Sequence, residues 1–293
     1  MSGGPATLPD PASFLSGEHG SVVGRRLVTG RTLHDAFQRV VNAVALAGPR
    51  LDRLAAAQAP RRVLVLSVYR PGSDLPGSLA RLASRRHEVS FALGSTARAD
   101  PALERETTAT SLTGGKFENL NRLLALAPAP CAVHDWVLVV DDDVTLPPRF
   151  TDRFVALCEH LGLDLAQPAQ TMRSHAAWRV TRRRALALAR RTAYVEIGPV
   201  TGFGRRAAAE LLPFPELRFG WGLDNHWGAL ARERGWRLGV LDALAVRHER
   251  QRVASTYTHA EAIEEAQRFL TGRHYLRADE AQRTLATVRR LRP

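Results

Sequence analysis

A mixed α/β fold, built on a mostly parallel, doubly wound sheet, is what the sequence predicts. Two observations carry that reading. Short continuous apolar runs at 63–68 and 136–140 have the pattern of strands buried on both faces. Segments with helical spacing lie between and after them, so strands alternate with helices.

In chain order, residues 1–30 are rich in Gly, Pro and Ser and are expected to be poorly ordered at their start. Residues 32–47 place Leu33, Phe37, Val40, Val41 and Val44 on one helical face, with Ala47 at the next turn. Gly48-Pro49 then ends or kinks that helix, and 51–57 form a second one. Residues 1–58 therefore read as an appendage on a main domain at 59–255. Within that domain, 63–68 is the first strand and Tyr69-Arg70-Pro71-Gly72-Ser73 its loop. Leu75, Leu79 and Leu82 mark a helix, and 88–93 a second strand ended by Gly94-Ser95. A polar loop runs to Gly115. Residues 116–126 form a helix with Phe117, Leu120, Leu123 and Leu124 inward, and 136–140 a third strand. Pro147-Pro148 opens a helix carrying Phe150, Phe154 and Leu157. Residues 164–169 and 194–197 are further strands. Helices are expected at 205–212 and 224–234, and extended segments at 236–241 and 243–246. Two polar helices, 259–271 and 278–291, make a C-terminal extension over 256–293. No internal repeat is visible.

The 293 residues carry a net charge of +12. A basic balance raises nucleic acid or an anionic membrane as partners. The charge is scattered, however. Of 41 basic residues only Lys116 is a lysine, and the densest runs are Arg182-Arg183-Arg184 and Arg190-Arg191. A nucleic-acid binder would interleave a basic stripe with aromatics, and here the aromatics cluster around Asp224. Nucleic acid is therefore not expected as a partner. The arginine runs either face an acceptor phosphate or cover a solvated helix face. Cys131 and Cys158 give no disulfide framework and read as small buried hydrophobes in a reducing compartment. No run approaches the ~20 apolar residues of a membrane span. Residues 1–20 lack a basic region followed by an apolar core. A cytoplasmic protein is the expectation, with peripheral membrane contact left open.

Four constellations carry chemistry. Val139-Val140-Asp141-Asp142-Asp143-Val144 sets three carboxylates at the carboxyl end of an apolar strand, where a parallel sheet opens its ligand crevice. Crowded carboxylates repel, and a hard divalent cation, Mg²⁺ or Mn²⁺, relieves that repulsion. A solvated acidic turn or helix cap is the alternative. Phe219-Gly220-Trp221-Gly222-Leu223-Asp224-Asn225-His226-Trp227 brackets an acid and a histidine with two tryptophans. Aromatic faces suit sugar rings, and Asp224 suits a general base; core tryptophans with Asp224 as a helix cap are the alternative. His248 follows an extended apolar segment, as a metal ligand at a strand end would. Gly114-Gly115-Lys116 opens a helix, where backbone N–H groups and the dipole favour an anion.

On these residues the chain resembles nucleotide-sugar glycosyltransferases of the GT-A fold, close to the family 2 group, over roughly 61–250. It also resembles an uncharacterised glycosyltransferase-like family with a Trp-Gly-Leu-Asp motif. The resemblance implies a hexosyltransferase with a nucleotide-diphosphate sugar donor and a hydroxyl acceptor that is a glycan, a lipid-linked molecule or a small molecule. It implies nucleotide contacts from Ser67, Val68, Tyr69 and Arg70, then Gly115, Lys116 and Asn121. Where such enzymes often carry a base-gripping acid, this chain has Leu93-Gly94-Ser95, so Ser95 takes that place. Asp141 and Asp142 fall to ribose and donor, with Mn²⁺ or Mg²⁺ held by Asp143, Asp141 and His248. Asp224 falls to the base of an inverting displacement, with His226 as its rival, and Trp221, Gly222, His226 and Trp227 to the acceptor side. Acceptor loops are placed at 170–184, with His175 and Trp178, and at 198–204. Three other readings stay open: a sugar nucleotidyltransferase, a non-catalytic nucleotide- or carbohydrate-binding module, and a basic nucleic-acid binder.

Overall fold

The computed structural model describes residues 7–17, 25–44, 47–248 and 258–291. Residues 1–6 and 18–24 of the segment expected to be poorly ordered, Glu249 and the boundary expected at 255/256 lie outside them.

The expected α/β architecture is present, as a mostly parallel sheet flanked by helices. Strand β1 (Arg62–Tyr69) lies between β2 (Glu88–Ser95) and β4 (Trp136–Val140), parallel to both, with Val65 opposite Phe91 and Leu138. Strand β3 (Thr107–Ala109) extends the sheet beyond β2. On the other side β8 (Val200–Gly204) runs antiparallel between β4 and β6 (Leu165–Gln170). Then come β9 (Leu238–His248), β7 (Ala189–Thr192) and β10 (Thr284–Val288), giving the order β10-β7-β9-β6-β8-β4-β1-β2-β3. Strands β1, β2, β3, β4, β6, β9 and β10 point one way; β7 and β8 oppose them. A two-residue strand β5 (Val144–Thr145) pairs antiparallel with the end of β9, Val144 opposite His248.

The pleat of β1 explains the layering. Leu64 and Leu66 face a core formed with α5 (Lys116–Leu126), α7 (Arg205–Leu211), α8 (Leu223–Arg234) and α9 (His259–Leu270). Val63 and Val65 face the opposite core, under α3 (Ala47–Ala57), α4 (Leu75–Leu82) and α6 (Phe150–Leu161). Full burial of each such side chain contributes about 1.5–3 kcal/mol, so both faces of the central strands must stay covered. Cys158 is buried in the second core, Cys131 is half-buried, and both are free thiols.

Several expectations are corrected. The 194–197 strand is irregular chain; the strands sit on either side of it, as β7 and β8, so the 198–204 segment expected as an acceptor loop is largely β8. The two extended segments near the end of the domain are one strand, β9. The second C-terminal helix is a four-residue helix, α10 (Ala278–Ala281), followed by β10, which adds to the sheet edge. Helix α2 (Arg25–Val44) is longer than expected and ends before Gly48-Pro49, which open α3 instead. Its Leu33, Phe37 and Val40 face outward, and it meets the domain through polar groups. Asp35 accepts from the Met172 and Arg173 amides at 2.9 and 3.3 Å, and Arg31 donates to the Met172 carbonyl at 3.2 Å. The side chain of Val44 is outside the described ones. Part of the chain start is ordered: Asp10 caps α1 (Pro11–Phe14), and Phe14 is buried. No described helix is long and apolar enough to cross a membrane.

Candidate active site

A cavity of about 400 Å³ opens at the carboxyl ends of β1 and β4, where strand order reverses around β1. Asp141, Asp142 and Asp143 all border it, with Arg70, Lys116 and His248. Each carboxylate has its own cationic partner. Lys116 Nζ lies 2.6 Å from Asp141 Oδ1 and donates to the Ile197 carbonyl at 3.2 Å. Arg70 grips Asp142 by its backbone N–H at 3.0 Å and by two guanidinium contacts of 2.9 and 2.7 Å. His248 Nε2 lies 3.0 Å from Asp143 Oδ1, placed there by the β5–β9 pairing. These pairs offset part of the repulsion among the three carboxylates. Burial works to raise the Asp143 carboxyl, but the hydrogen bond and charge of His248 outweigh it and hold Asp143 below the usual range. The Asp142 partner raises Arg70 further above its ordinary value, against desolvation.

Of the expected ligand set for a divalent cation, Asp141 lies against Lys116, and Asp143 against His248. Among the described residues no three His, Cys, Asp or Glu side chains converge as a metal cage. Asp143 and His248 remain as a donor pair, and the buried His248 Nδ1 has no hydrogen-bond partner among the described residues. Two protein donors suit a cation that completes its shell with substrate phosphates and water.

Other expected nucleotide contacts are displaced for geometric reasons. Ser67 is fully buried on the face shared with Val65 and does not border the cavity; Val68, on the opposite face of the pleat, does. Tyr69 borders it, but its hydroxyl is 2.7 Å from Thr107 Oγ1 and accepts from the Asp100 amide. Ser95 shapes a turn, donating to the Arg98 carbonyl and accepting from the Ala97 amide, and Thr96 borders the cavity instead. Asn121 is turned away and clamps both backbone groups of Phe214 at 2.9 and 2.8 Å. Asn119 takes the cavity side, because helical spacing puts Lys116, Asn119 and Leu120 on one face.

A second cavity, about 320 Å³, adjoins the first; Glu196, Ile197 and Trp221 line both. Asp224 lines the second. It sits in the first turn of α8, after Gly222, whose φ of 86° sets the cap. Asp224 is 5% exposed, accepts a short hydrogen bond from the Tyr194 hydroxyl, and accepts from the Asn225 amide at 3.0 Å. Burial pushes its carboxyl up to about 6, against those hydrogen bonds.

Glu196 is the residue that sequence reasoning missed. It accepts from Gln170 Nε2 at 2.8 Å, Thr181 Oγ1 at 3.0 Å and the Ala177 amide at 3.3 Å. Burial, with the Asp224 charge behind it, pushes it up to about 8. Its signal was an acid inside the apolar run Tyr194-Val195-Glu196-Ile197 before Gly198-Pro199. Burial thus pushes both carboxyls of the pair upward, Glu196 further than Asp224.

Those shifts have a stability consequence. A carboxyl raised on folding stabilises fully below its unfolded pKa, and the contribution is lost as pH rises through its folded pKa. The wild-type melting temperature is expected to fall between about pH 5 and pH 8 for this reason. In Glu196→Gln the fall should be much smaller. Parallel melting curves for the two proteins across that range would contradict the assignment.

The remaining acceptor candidates divide. Trp221, Gly222 and Trp178 line the second cavity. Trp227 is core, edge-on to Phe203 at 5.3 Å. His226, the rival base, borders neither cavity; its Nδ1 meets the His274 carbonyl at 2.7 Å and its ring meets Phe269. The loop at 170–184 does reach the site, through Gln170, Ala177 and Thr181. His175 does not line either cavity and contributes its amide to the His248 carbonyl. Within the arginine runs, Arg182 and Arg190 have structural partners, while Arg184 and Arg191 are exposed. Arg182 holds the carbonyls of Met172, Ser174 and Ala176, and Arg190 forms a fully buried pair with Asp242.

No family model matches the chain, and no curated protein matches it. Among solved structures it is similar to S. aureus TarS 1-349 in complex with UDP-GlcNAc, at 15% identity and a TM-score of 0.47, over 72% of this chain and 65% of that one. It is also similar to GalNAc-T7 with UDP, GalNAc and Mn²⁺, at 11% identity and a TM-score of 0.45, over 69% of this chain and 46% of that one. The chain thus spans less than two thirds of the length of either.

Proposed function

We propose that the chain transfers a glycosyl group from a nucleoside-diphosphate sugar to a hydroxyl acceptor, with inversion. One observation carries this reading: an acid- and cation-lined cavity at the sheet's crevice adjoins a second cavity holding a buried carboxylate, Asp224. In this reading the donor lies in the first cavity and the acceptor in the second. Lys116 and the amino end of α5 attract the diphosphate. Arg70, fixed by Asp142, shapes the loop after β1 around the nucleotide. Asp143 and His248 would hold Mn²⁺ or Mg²⁺, which when bound neutralises charge on the diphosphate leaving group.

Asp224 takes the acceptor's hydroxyl proton. The acceptor oxygen then forms a bond to the anomeric carbon. The bond from that carbon to the phosphate oxygen breaks, and its electron pair leaves on the nucleoside diphosphate. Attack from the face opposite the leaving group inverts the carbon. The Tyr194 hydroxyl holds Asp224 in place, and Glu196, protonated, keeps a second negative charge away from the junction.

The test is release of nucleoside diphosphate from a panel of UDP-, GDP-, dTDP- and CDP-sugars with Mn²⁺ and a mixed set of hydroxyl acceptors. One donor is expected to turn over, and a chelator to abolish it. Donor binding without release under every acceptor would instead identify a non-catalytic binding module.

A further inference from the structure

We propose that the second cavity is built for a small, uncharged aromatic alcohol, so that the acceptor is neither a glycan chain nor a phosphate-bearing lipid. The proposal rests on the transferase reading for the word acceptor, and on the cavity alone for its chemistry.

The wall is apolar and aromatic: Phe14, Leu15, Trp178, Trp221 and Ile263. Its volume of about 320 Å³ falls at the small end of ligand pockets. Trp178 packs on Tyr194 at 4.5 Å between ring centres with their planes tilted by 42°, which holds the Trp178 ring in place. Flat aromatic walls favour a ring as guest. A glycan needs polar partners along its whole length, and this wall offers few. Asn225, one of the polar lining groups, spends its amide on the Leu276 carbonyl at 2.9 Å.

Charge excludes the second class. Among the described residues no arginine or lysine lines this cavity. What it presents is the carboxyl pair, Glu196 and Asp224. A phosphate or carboxylate guest would meet these carboxyls and, among the described residues, no arginine or lysine.

The cavity is also closed over by segments outside the sheet. The chain start lies across it, held to the C-terminal region by Ser13 Oγ and the Tyr275 hydroxyl at 3.0 Å and by Gln267 Nε2 donating to the Pro9 carbonyl at 2.8 Å. Phe14 is inserted edge-on to Tyr275. Helix α9 brings His259 and Ile263 to the rim. Residues 14–17 and helix α9, from the two extensions that the sequence left without a role, thus form part of the pocket's wall.

In the reaction the aromatic alcohol gives its O–H proton to Asp224. Its oxygen bonds to the donor's anomeric carbon as the carbon–phosphate oxygen bond breaks, the electron pair leaving with the nucleoside diphosphate.

Binding to the full chain tests this, with 2-naphthol as probe and maltotriose and 2-naphthyl phosphate as comparators, read by calorimetry and tryptophan quenching. Nucleotide binding is read in parallel from the melting shift with UDP, GDP, dTDP and CDP in Mn²⁺. The expected result is binding of 2-naphthol at least about tenfold tighter than either comparator. Ile263→Arg and, independently, Leu15→Arg should weaken naphthol about tenfold or more and leave the nucleotide shift unchanged. Both positions are half-exposed, so two independent variants guard against a folding defect. Protein that binds a nucleotide but not 2-naphthol overturns the proposal and leaves the transferase reading standing. So does naphthol binding that both variants retain. Naphthol binding lost in both variants, without any nucleotide binding, upholds the pocket's chemistry and removes the transferase reading.

Discussion

Asp224→Asn is expected to lower kcat by about 10²–10⁴, the range a general base contributes, and to leave nucleotide affinity unchanged. The substitution is nearly isosteric. An amide at 224 can still accept from the Asn225 N–H and meet the Tyr194 hydroxyl, so α8 keeps its first turn. What is lost is the ability to take a proton. Asp224 lines the second cavity and not the first, so the donor should not sense the change. In the wild type kcat/KM should rise with pH through about 6, as burial sets the Asp224 carboxyl there. The check is the rate of nucleoside diphosphate release beside the nucleotide melting shift, both measured on the variant. A near-normal rate would remove Asp224 from its role. An equal loss of nucleotide binding would mean the two cavities are not separate subsites.

The second large effect is on stability. Asp242→Ala is expected to cost about 3–5 kcal/mol, the range for breaking a buried ion pair from one side. Arg190 and Asp242 have fully buried side chains, joined by contacts of 2.8 and 3.0 Å. Arg190 also donates to the Val180 and Arg182 carbonyls, and Asp242 accepts from the Arg184 amide at 2.7 Å. Removing the carboxylate strands a guanidinium in the interior. It also releases the 180–184 chain from β9, and that chain delivers Thr181 to Glu196. The melting temperature should fall by roughly 10 °C. The pair Arg190→Met with Asp242→Leu should recover much of the loss, because an apolar replacement leaves no charge behind. Chemical denaturation of the three proteins measures this. A loss below about 1 kcal/mol in Asp242→Ala would show that water reaches the guanidinium.

How far the sequence carries the fold depends on which physical signal each element leaves. Strands β1 and β4 and helix α5 were legible because both strand faces are buried and the helix has an undisguised apolar stripe. Strand β8 was not. Its Gly202 and Gly204 weaken any strand signal, yet they are there because a Cβ at 202 would lie 2.5 Å from the Phe154 ring and one at 204 3.3 Å from Trp136. Strand β7 carries Arg190 inward, and only the distant Asp242 makes that tolerable. In α2 the spacing defines a stripe without saying which side meets the domain, and Leu33, Phe37 and Val40 face outward.

The candidate site divides in the same way. The three aspartates were visible as a cluster, but their partners, Arg70, Lys116 and His248, come from three distant segments that only the topology joins. Asn121 and Asn119 differ by a rotation that a helix boundary alone does not resolve. Glu196 carried no motif; its importance comes from lying where two cavities meet.

The central claim is a nucleotide cleft that works with a cation held by Asp143 and His248. Thermal melting of the full chain with UDP, GDP, dTDP or CDP, in Mn²⁺ or in chelator, tests it directly for wild type and Asp143→Ala. At about 100 times its dissociation constant a ligand of the folded state adds ~2.7 kcal/mol, a clear shift. The expected result is a shift with one base, present with Mn²⁺ and absent with chelator and in Asp143→Ala. Folded wild-type protein that shifts with none of the nucleotides contradicts the claim.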